Sequence, residues 1–467
     1  MTLSSRGVAA LRSRISGTVL AAGDDAFAEE HARGFNTAVR SRPDLIVAAR
    51  EAADVREAVA FAAAHGLPVG VRSTGHGPAG GGDGGVLVVT RAMADVTVDP
   101  AARLARIGAG ARWEQVTPAA AAYGLAPLSG SAPHTGAVGY LLGGGLPLLG
   151  RTFGYAADRV RALEVVTAGA ELVRVTAGSD PELFWALRGG RDNFGLVTAV
   201  ETELLPLTTL WGGGLYYRNG TPGQALATAR AWAEWTEGLP EEMNSSLAFV
   251  AVPDVPALPE PLRGQYVAHV RIAYAGQRPE EGERLVARLR ARTGAPVLES
   301  LAVLPVTQAG SVHNDPARPM AWNSDIALLS ALDETALRGL LAAAGPAADE
   351  PAVLELRHLG GALARPGAAP SAVGHRDARY SLGVLTRMTG GESEAEREAV
   401  VRRQDALLAP FAPWTAGRFV NFMGHGPAAA PDRVRTAYDP GDYERLTALK
   451  ARRDPAGLFR LGHRITG

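Results

Sequence analysis

The stretch Val69 to Gly85, VGVRSTGHGPAGGGDGG, constrains this chain more than any other. A β-rich run, Pro68 to Ser73, breaks there into a loop with seven glycines: Gly75, Gly77, Gly80, Gly81, Gly82, Gly84 and Gly85. Without Cβ atoms in the way, backbone N–H groups can turn inward, so such a loop can cradle a phosphate. One imidazole, His76, stands in its middle. The same letters also fit a flexible surface loop with an incidental histidine, and a single glycine loop does not separate the two readings.

The rest of the chain narrows the choice. Its 467 residues exceed one hydrophobic core and suggest two or three domains. A formal net charge of −1 implies no bulk attraction to nucleic acid or membrane. Cysteine is absent, which excludes disulfides and thiolate metal sites; a cytoplasmic location is expected. No signal peptide or transmembrane helix is evident. The histidines form neither an H-x-E-x-H nor an H-E-x-x-H array, so no metal is expected. A Gly-x-Ser-x-Gly elbow is missing, which disfavours a hydrolase. The early chain lacks a nicotinamide-type Rossmann fingerprint, which disfavours a simple dehydrogenase.

Residues 1–42 read as a helical lead-in. Asp54-x-x-Glu57 reads as a capping box opening a helix that Gly66 closes. Val86 to Thr90 is an apolar run expected as a buried strand, and Val96–Asp99 with Leu104–Gly108 reads as a hairpin. A helix is expected from Trp113 to Tyr123, two strands from Asp158 to Val175, a helix after Asp180-Pro181, and a strand ending near Glu203. From Pro206 to about Pro413 the character changes. Ala248–Val252 and Tyr266–Tyr274 read as strands; Thr221–Glu237, Pro279–Arg292 and Glu394–Leu408 read as helices. Four prolines make Pro253–Pro261 a loop.

Four segments in order carry a family resemblance. Arg72-Ser73-Thr74-Gly75-His76 resembles the Arg-Ser-Gly-Gly-His segment of the FAD-linked oxidases of the berberine bridge enzyme and 6-hydroxynicotine oxidase family, with Thr74 in place of a glycine. Ser129 to Gly154, with its Gly143-Gly144-Gly145 run, resembles that family's second glycine-rich segment. Leu183 to Thr198 resembles its Leu-Phe-Trp-Ala-Leu-Arg-Gly-Gly-Gly-x-Asn-Phe-Gly-Val-Val-Thr phrase. Asp439–Leu446 and Lys450–Arg460 resemble its C-terminal signature. The resemblance implies an α+β fold. A two-part FAD-binding domain of the vanillyl-alcohol-oxidase type, 1–205 and 415–467, would flank an inserted substrate domain, 206–414, built as an antiparallel sheet with helices on one face.

It also implies site residues. His76 is expected to bind FAD covalently at the 8α-methyl, which raises the flavin potential and prevents cofactor loss. Arg72, Ser73, Thr74, Gly75, Gly77, Gly136, Gly139, Asn193, Gly195, Val197 and Asn421 are expected around the cofactor. Ala132 aligns with the cysteine of bicovalent members, so only the histidyl bond is expected. Where many members have Tyr-x-Asn, this chain has Phe419-Val420-Asn421, which removes the phenol base of sugar oxidation. His463 replaces an asparagine, with a structural contact expected.

The expected activity is oxidation of a small or medium organic molecule of specialised metabolism, an enol, polyketide-like compound or amine before a sugar, with dioxygen as acceptor. A redox-neutral cyclase or isomerase and a non-enzymatic flavin protein are the alternatives. In Leu354–Leu359, period two puts Glu355 and Arg357 on one face and Leu354, Leu356 and His358 on the other. Glu355 as base, with Arg357, is weighed against a same-face ion pair. His134 is a further catalytic candidate; His375 and Arg376 are weaker ones. One cavity between the domains, bounded by His134, Glu355, Arg357 and the flavin, is expected.

Overall fold

The computed structural model describes residues 4–39, 41–77 and 83–466. Gly80, Gly81 and Gly82 of the opening loop therefore lie outside the described residues. Three sheets organise the chain. The first holds β1 (Thr18–Ala21), β2 (Leu45–Ala48), β3 (Val69–Arg72) and β4 (Val86–Val89) in the order β1-β2-β4-β3. β1 runs antiparallel to β2, while β4 pairs in parallel with both β2 and β3. Strands buried on both faces read as continuous apolar runs, as β4 does.

The second sheet is antiparallel, β5-β6-β9-β7-β8, from β5 (Val96–Asp99), β6 (Leu104–Gly108), β7 (Val160–Val166), β8 (Leu172–Thr176) and β9 (Leu196–Glu203). The third has nine antiparallel strands: β10 (Thr209–Arg218), β11 (Met243–Ala251), β12 (Tyr266–Tyr274), β13 (Leu298–Glu299), β14 (Ala302–Pro305), β15 (Ala321–Leu329), β16 (Val353–His358), β17 (Tyr380–Met388) and β18 (Thr415–Gly417). Their order is β13-β10-β12-β11-β16-β17-β15-β18, with β14 also on β10.

Strand alternation gives this last sheet two chemically different faces. Leu247, Val270, Leu354, Leu356, Leu382 and Val384 are buried in one apolar cluster with Trp232 and Leu337 of the helices Pro222–Thr236 and Glu334–Ala344. Truncating a leucine in such a core costs about 2–5 kcal/mol. The opposite face meets the second glycine-rich segment: Ile326 and Leu328 of β15 cluster with Leu146, Tyr155 and Phe419.

The last residues return to the first two sheets. Val69 N–H donates to Leu458 O at 2.8 Å. Lys450, the only lysine in the sequence, is buried and donates to Asp454 Oδ2 at 2.7 Å, Phe459 O at 2.6 Å and Asn193 O at 2.5 Å. One cation thus stitches the C-terminal helix Pro440–Arg453 to the turn before β9.

Two expectations need correction. The lead-in is not purely helical: β1 lies between the helices Ser5–Arg12 and Asp25–Ala32, because Val19 and Leu20 bury against β2. Asp54 is no capping-box residue. The helix begins at Ala52, and the Asp54 carboxylate takes the N–H groups of Ser16, Gly17 and Arg50 at 2.7–3.1 Å. Gly66, with φ +65°, closes the helix as expected.

Candidate functional site: a glycine-walled cradle beneath a polar sheet face

The first glycine loop is clamped by backbone before any side chain matters. Phe35 N–H donates to Thr74 O and Asn36 N–H to Gly75 O, at 3.0 and 2.9 Å. Gly75 sits at φ +73°, and a Cβ there would lie 2.8 Å from Gly34 Cα, so only glycine fits. This brings Phe35 against His76, stacked at 4.0 Å between ring centroids. His134, from the second glycine-rich segment, stacks on the same phenyl at 4.4 Å and lies 5.0 Å from His76.

His76 is held by one nitrogen. Nδ1 is hydrogen-bonded to Thr74 Oγ1 at 2.8 Å, and that hydroxyl also accepts the Gly136 N–H at 3.3 Å. Nε2 is buried with no partner. Burial, helped by the fields of His134 and Arg112, pushes the imidazole down to about 3, so the ring is neutral at ordinary pH. Burial also lowers His134. Ser73 Oγ is buried and unpartnered. Arg72 spends its guanidinium on Glu30 O, His31 O and the Glu30 carboxylate, so its side chain anchors the loop from behind.

Asn421 joins the second segment to the C-terminal return. Its amide donates to Tyr140 O at 2.9 Å and its carbonyl accepts from Arg191 at 3.1 Å. A Cβ at Gly143 would stand 1.7 Å from Asn421 Oδ1, so the glycine allows this contact. Gly77 has Arg191 as its neighbour, and Gly139 has open space where a side chain would go. Asn193 is fully committed, donating to Gly190 O and His463 O and accepting from Ile465 N–H. Gly195 packs on Val165 and Val166, and Val197 is buried beside them in β9. Ala132 O accepts the Thr135 N–H. His463 is fully buried against Gly424 O.

Above these segments lies the polar face of the nine-stranded sheet. Cross-strand register puts Arg271 of β12, Ser246 of β11, Arg357 of β16 and Ser381 of β17 in one row. The next row on the same face reads His269, Ala248, Glu355, Gly383. Glu355 therefore points away from the helices, and Leu354 and Leu356 point toward them, as period two requires. Its carboxylate is bonded by Arg271 on one side and by Arg357, at 2.8 Å, on the other. Burial raises its pKa, but the two guanidiniums together outweigh that and hold it below the usual carboxylate range. Arg357 also lies over the Phe422 ring at 4.8 Å.

A small cavity of about 30 Å³ opens between this face and residues 146–150, lined by Arg271, Ser246, Arg357, His313 and His358 among others. The expected boundary is corrected in three respects. Arg357 lines the cavity, but Glu355 lies one row back, bonded to its arginines. His134 groups with His76 and Phe35 instead, because Ser131 bonds Asp315 at 2.6 Å and holds that loop aside. His358 lines the cavity at the strand end, where it meets Arg151 Nη1 at 3.0 Å while stacking on Tyr380. His375 and Arg376 stand elsewhere, bonded to Thr436 O and to the Asp158 carboxylate.

Sequence reasoning missed Arg271, Ser246, His313 and Phe35. His269 and Arg271 do alternate with apolar residues in β12, but they sit inside a nearly unbroken apolar run that masks the alternation. Among the described residues, no group of three or more His, Asp or Glu could hold a metal, and no helix is long and apolar enough to cross a membrane.

The residues present fit FAD. A glycine loop, a neutral imidazole with a free nitrogen, and the orphaned atoms Ser73 Oγ, His76 Nε2 and Tyr140 Oη match a dinucleotide bearing a polar ring. Ser73, Thr74, Gly75, His76, Gly77, Gly136, Gly139 and Asn421 would hold it. An FAD binding domain profile matches residues 43–176, which contain both glycine-rich segments. The class is thus an FAD-dependent oxidoreductase with a vanillyl-alcohol-oxidase-type fold. (R)-6-hydroxynicotine oxidase of Paenarthrobacter nicotinovorans is 30% identical over 441 residues, 91% of either chain. An FAD-linked oxidoreductase of Bacillus subtilis, YgaK, is 27% identical over 97% of this chain and 98% of its own. The crystal structure of 6-hydroxy-D-nicotine oxidase from Arthrobacter nicotinovorans matches with TM-score 0.81 and 28% identity, covering 97% of this chain and 98% of that one. Glucooligosaccharide oxidase from Acremonium strictum shares the fold, with TM-score 0.82 and 19% identity over 98% of both chains. The chain belongs to the 6-hydroxynicotine oxidase and berberine-bridge-enzyme-like family of FAD-linked oxidoreductases.

Proposed function

We propose that the chain is an oxidase acting on a small or medium organic molecule of specialised metabolism, with FAD attached covalently through His76 and dioxygen as electron acceptor. The observation that carries this is the His76 ring: neutral, buried, fixed at Nδ1 by Thr74, with Nε2 unpartnered. A nucleophilic imidazole needs an unprotonated nitrogen, and burial supplies one at neutral pH. The glucooligosaccharide oxidase from Acremonium strictum holds a 6-S-cysteinyl, 8α-N1-histidyl FAD. Here Ala132 offers no thiol, so the reading is a single bond. Bound FAD supplies the hydride acceptor. Residues 1–205 and 415–467 form the flavin domain in this reading, and 206–414 the substrate domain.

The chain's own residues divide the remaining work. Thr74 orients His76. Asn421 fixes the backbone of the second segment through Tyr140 O. Arg357 binds substrate from the sheet face, Glu355 receives the substrate proton or holds the arginines in place, and His134 borders the attachment end. The test needs no known substrate. Acid-precipitated protein should stay yellow, with flavin mass on a peptide containing His76. Dithionite-reduced enzyme should reoxidise within seconds of mixing with air. Free FAD in the acid supernatant would overturn the linkage, and reduced enzyme stable in air for many minutes would overturn the oxidase reading.

A further inference from the structure

The cavity above the second glycine-rich segment has an unusual charge inventory. Three guanidiniums, of Arg151, Arg271 and Arg357, border it, and among the described residues Glu355 behind it is the single carboxylate bonded to any of them. Arg151 is consumed by backbone carbonyls, those of Met243 and Leu359 among them. The other two are not consumed. Arg357 turns Nε and Nη2 to Glu355, and Arg271 gives Nη1 to Glu355 and Nε to His269. Arg357 Nη1 and Arg271 Nη2 have no hydrogen bond among the described residues. Between the two arginines, in the same cross-strand row, stands Ser246, whose Oγ is buried and unpartnered. His313 Nδ1 beside them is buried without a hydrogen bond, 3.7 Å from Glu355 Oε1. Burial and the charges of Arg271 and Arg357 keep His313 neutral, which registers the positive field at this spot.

Buried polar groups are ordinarily satisfied, so the orphaned Ser246 hydroxyl, standing between two guanidiniums that share one carboxylate, calls for an acceptor. Two N–H donors flanking an O–H match a flat anion with two oxygens. We infer that the substrate of this enzyme carries a carboxylate, which docks on the Arg271–Ser246–Arg357 row. The inference rests on the proposed substrate site and narrows it: neutral sugars and simple amines would leave the arginines uncompensated.

The test uses the flavin-loaded protein and calorimetric titration with benzoate, with benzamide as its neutral isostere. Benzoate should bind at least about 10-fold more tightly than benzamide, the scale of a charge-assisted hydrogen bond. Arg357→Gln should weaken benzoate by about 10-fold or more and leave benzamide unchanged, with Ser246→Ala giving a smaller loss. Equal affinity for the two probes in the wild type would overturn the inference, and this arm requires no variant to fold. Flavin content is measured on the same samples. Normal His76-linked flavin without carboxylate preference sinks the carboxylate site alone. Carboxylate preference without covalent flavin sinks the attachment alone.

Discussion

Replacing Glu355 with glutamine removes one charge and almost no volume. Each guanidinium about 4 Å from the carboxylate is worth about 4 kcal/mol at an effective dielectric of about 20. Two such attractions are lost, and the like charges of Arg271 and Arg357 are left facing each other across a neutral amide. The loss is partly offset because the folded state no longer desolvates a carboxylate, which costs several kcal/mol. Breaking a buried pair nets about 3–5 kcal/mol in general. The Glu355 side chain keeps 22% of its surface exposed, so water screens part of the interaction and the lower end, about 3 kcal/mol, is expected. Equilibrium urea denaturation, read by tryptophan fluorescence with flavin content checked, measures it. The same variant should bind benzoate more tightly, because the row gains net positive charge. With any compound that reduces the enzyme, a fall of about 10²-fold or more in anaerobic flavin reduction would assign the base to Glu355. An unchanged reduction rate with lowered stability would make Glu355 an ion-pair partner only. If urea midpoint and benzoate affinity both match wild type, the Arg271–Glu355–Arg357 network does not exist in solution and the reasoning fails.

Other consequences are direct. His76→Ala should keep FAD only non-covalently, releasing it on acid precipitation, and peptide mass spectrometry of the wild type should find no second flavin bond near Ala132. Thr74→Val should slow covalent incorporation, read as the fraction of acid-stable flavin over time, since the imidazole loses its orienting hydroxyl. Lys450→Met should cost about 3–5 kcal/mol by leaving Asp454 buried and unpaired; a loss under about 1 kcal/mol in the denaturation midpoint contradicts that. Burial pushes His358 and His463 down to about 3 from 6.5. Below pH 6.5 the unfolded chain binds protons that the folded chain refuses, so stability should fall with acid by about 1.4 kcal/mol per pH unit per histidine, down to the folded values. Denaturation midpoints that stay flat from pH 7 to 5 would refute it.

Local periodicity made much of the fold legible, and long-range register kept the rest hidden. Glu355 and Arg357 could be placed on one face because alternation within a six-residue strand decides it. The same rule applied to Tyr266–Tyr274 would have put His269 and Arg271 on one face, but the nearly unbroken apolar run reads as a strand buried on both sides and hides the two polar positions. Ser246 carries no signal at all. A serine in Met243–Ala251 becomes part of a site only once β11 is known to lie between β12 and β16, with Ser246 opposite both arginines. Phe35 is hidden in the same way, since two backbone hydrogen bonds to Thr74 and Gly75 bring it to His76 from 41 residues away in sequence. His76 was readable because its surroundings sit in one contiguous loop. The sheet face above it was not, because its chemistry is assembled across four strands whose order the chain does not announce. Sequence motifs in such an enzyme therefore report the cofactor. The substrate is written in cross-strand rows, and here the row of Arg271, Ser246 and Arg357 selects for an anion where the glycine loops say nothing of charge.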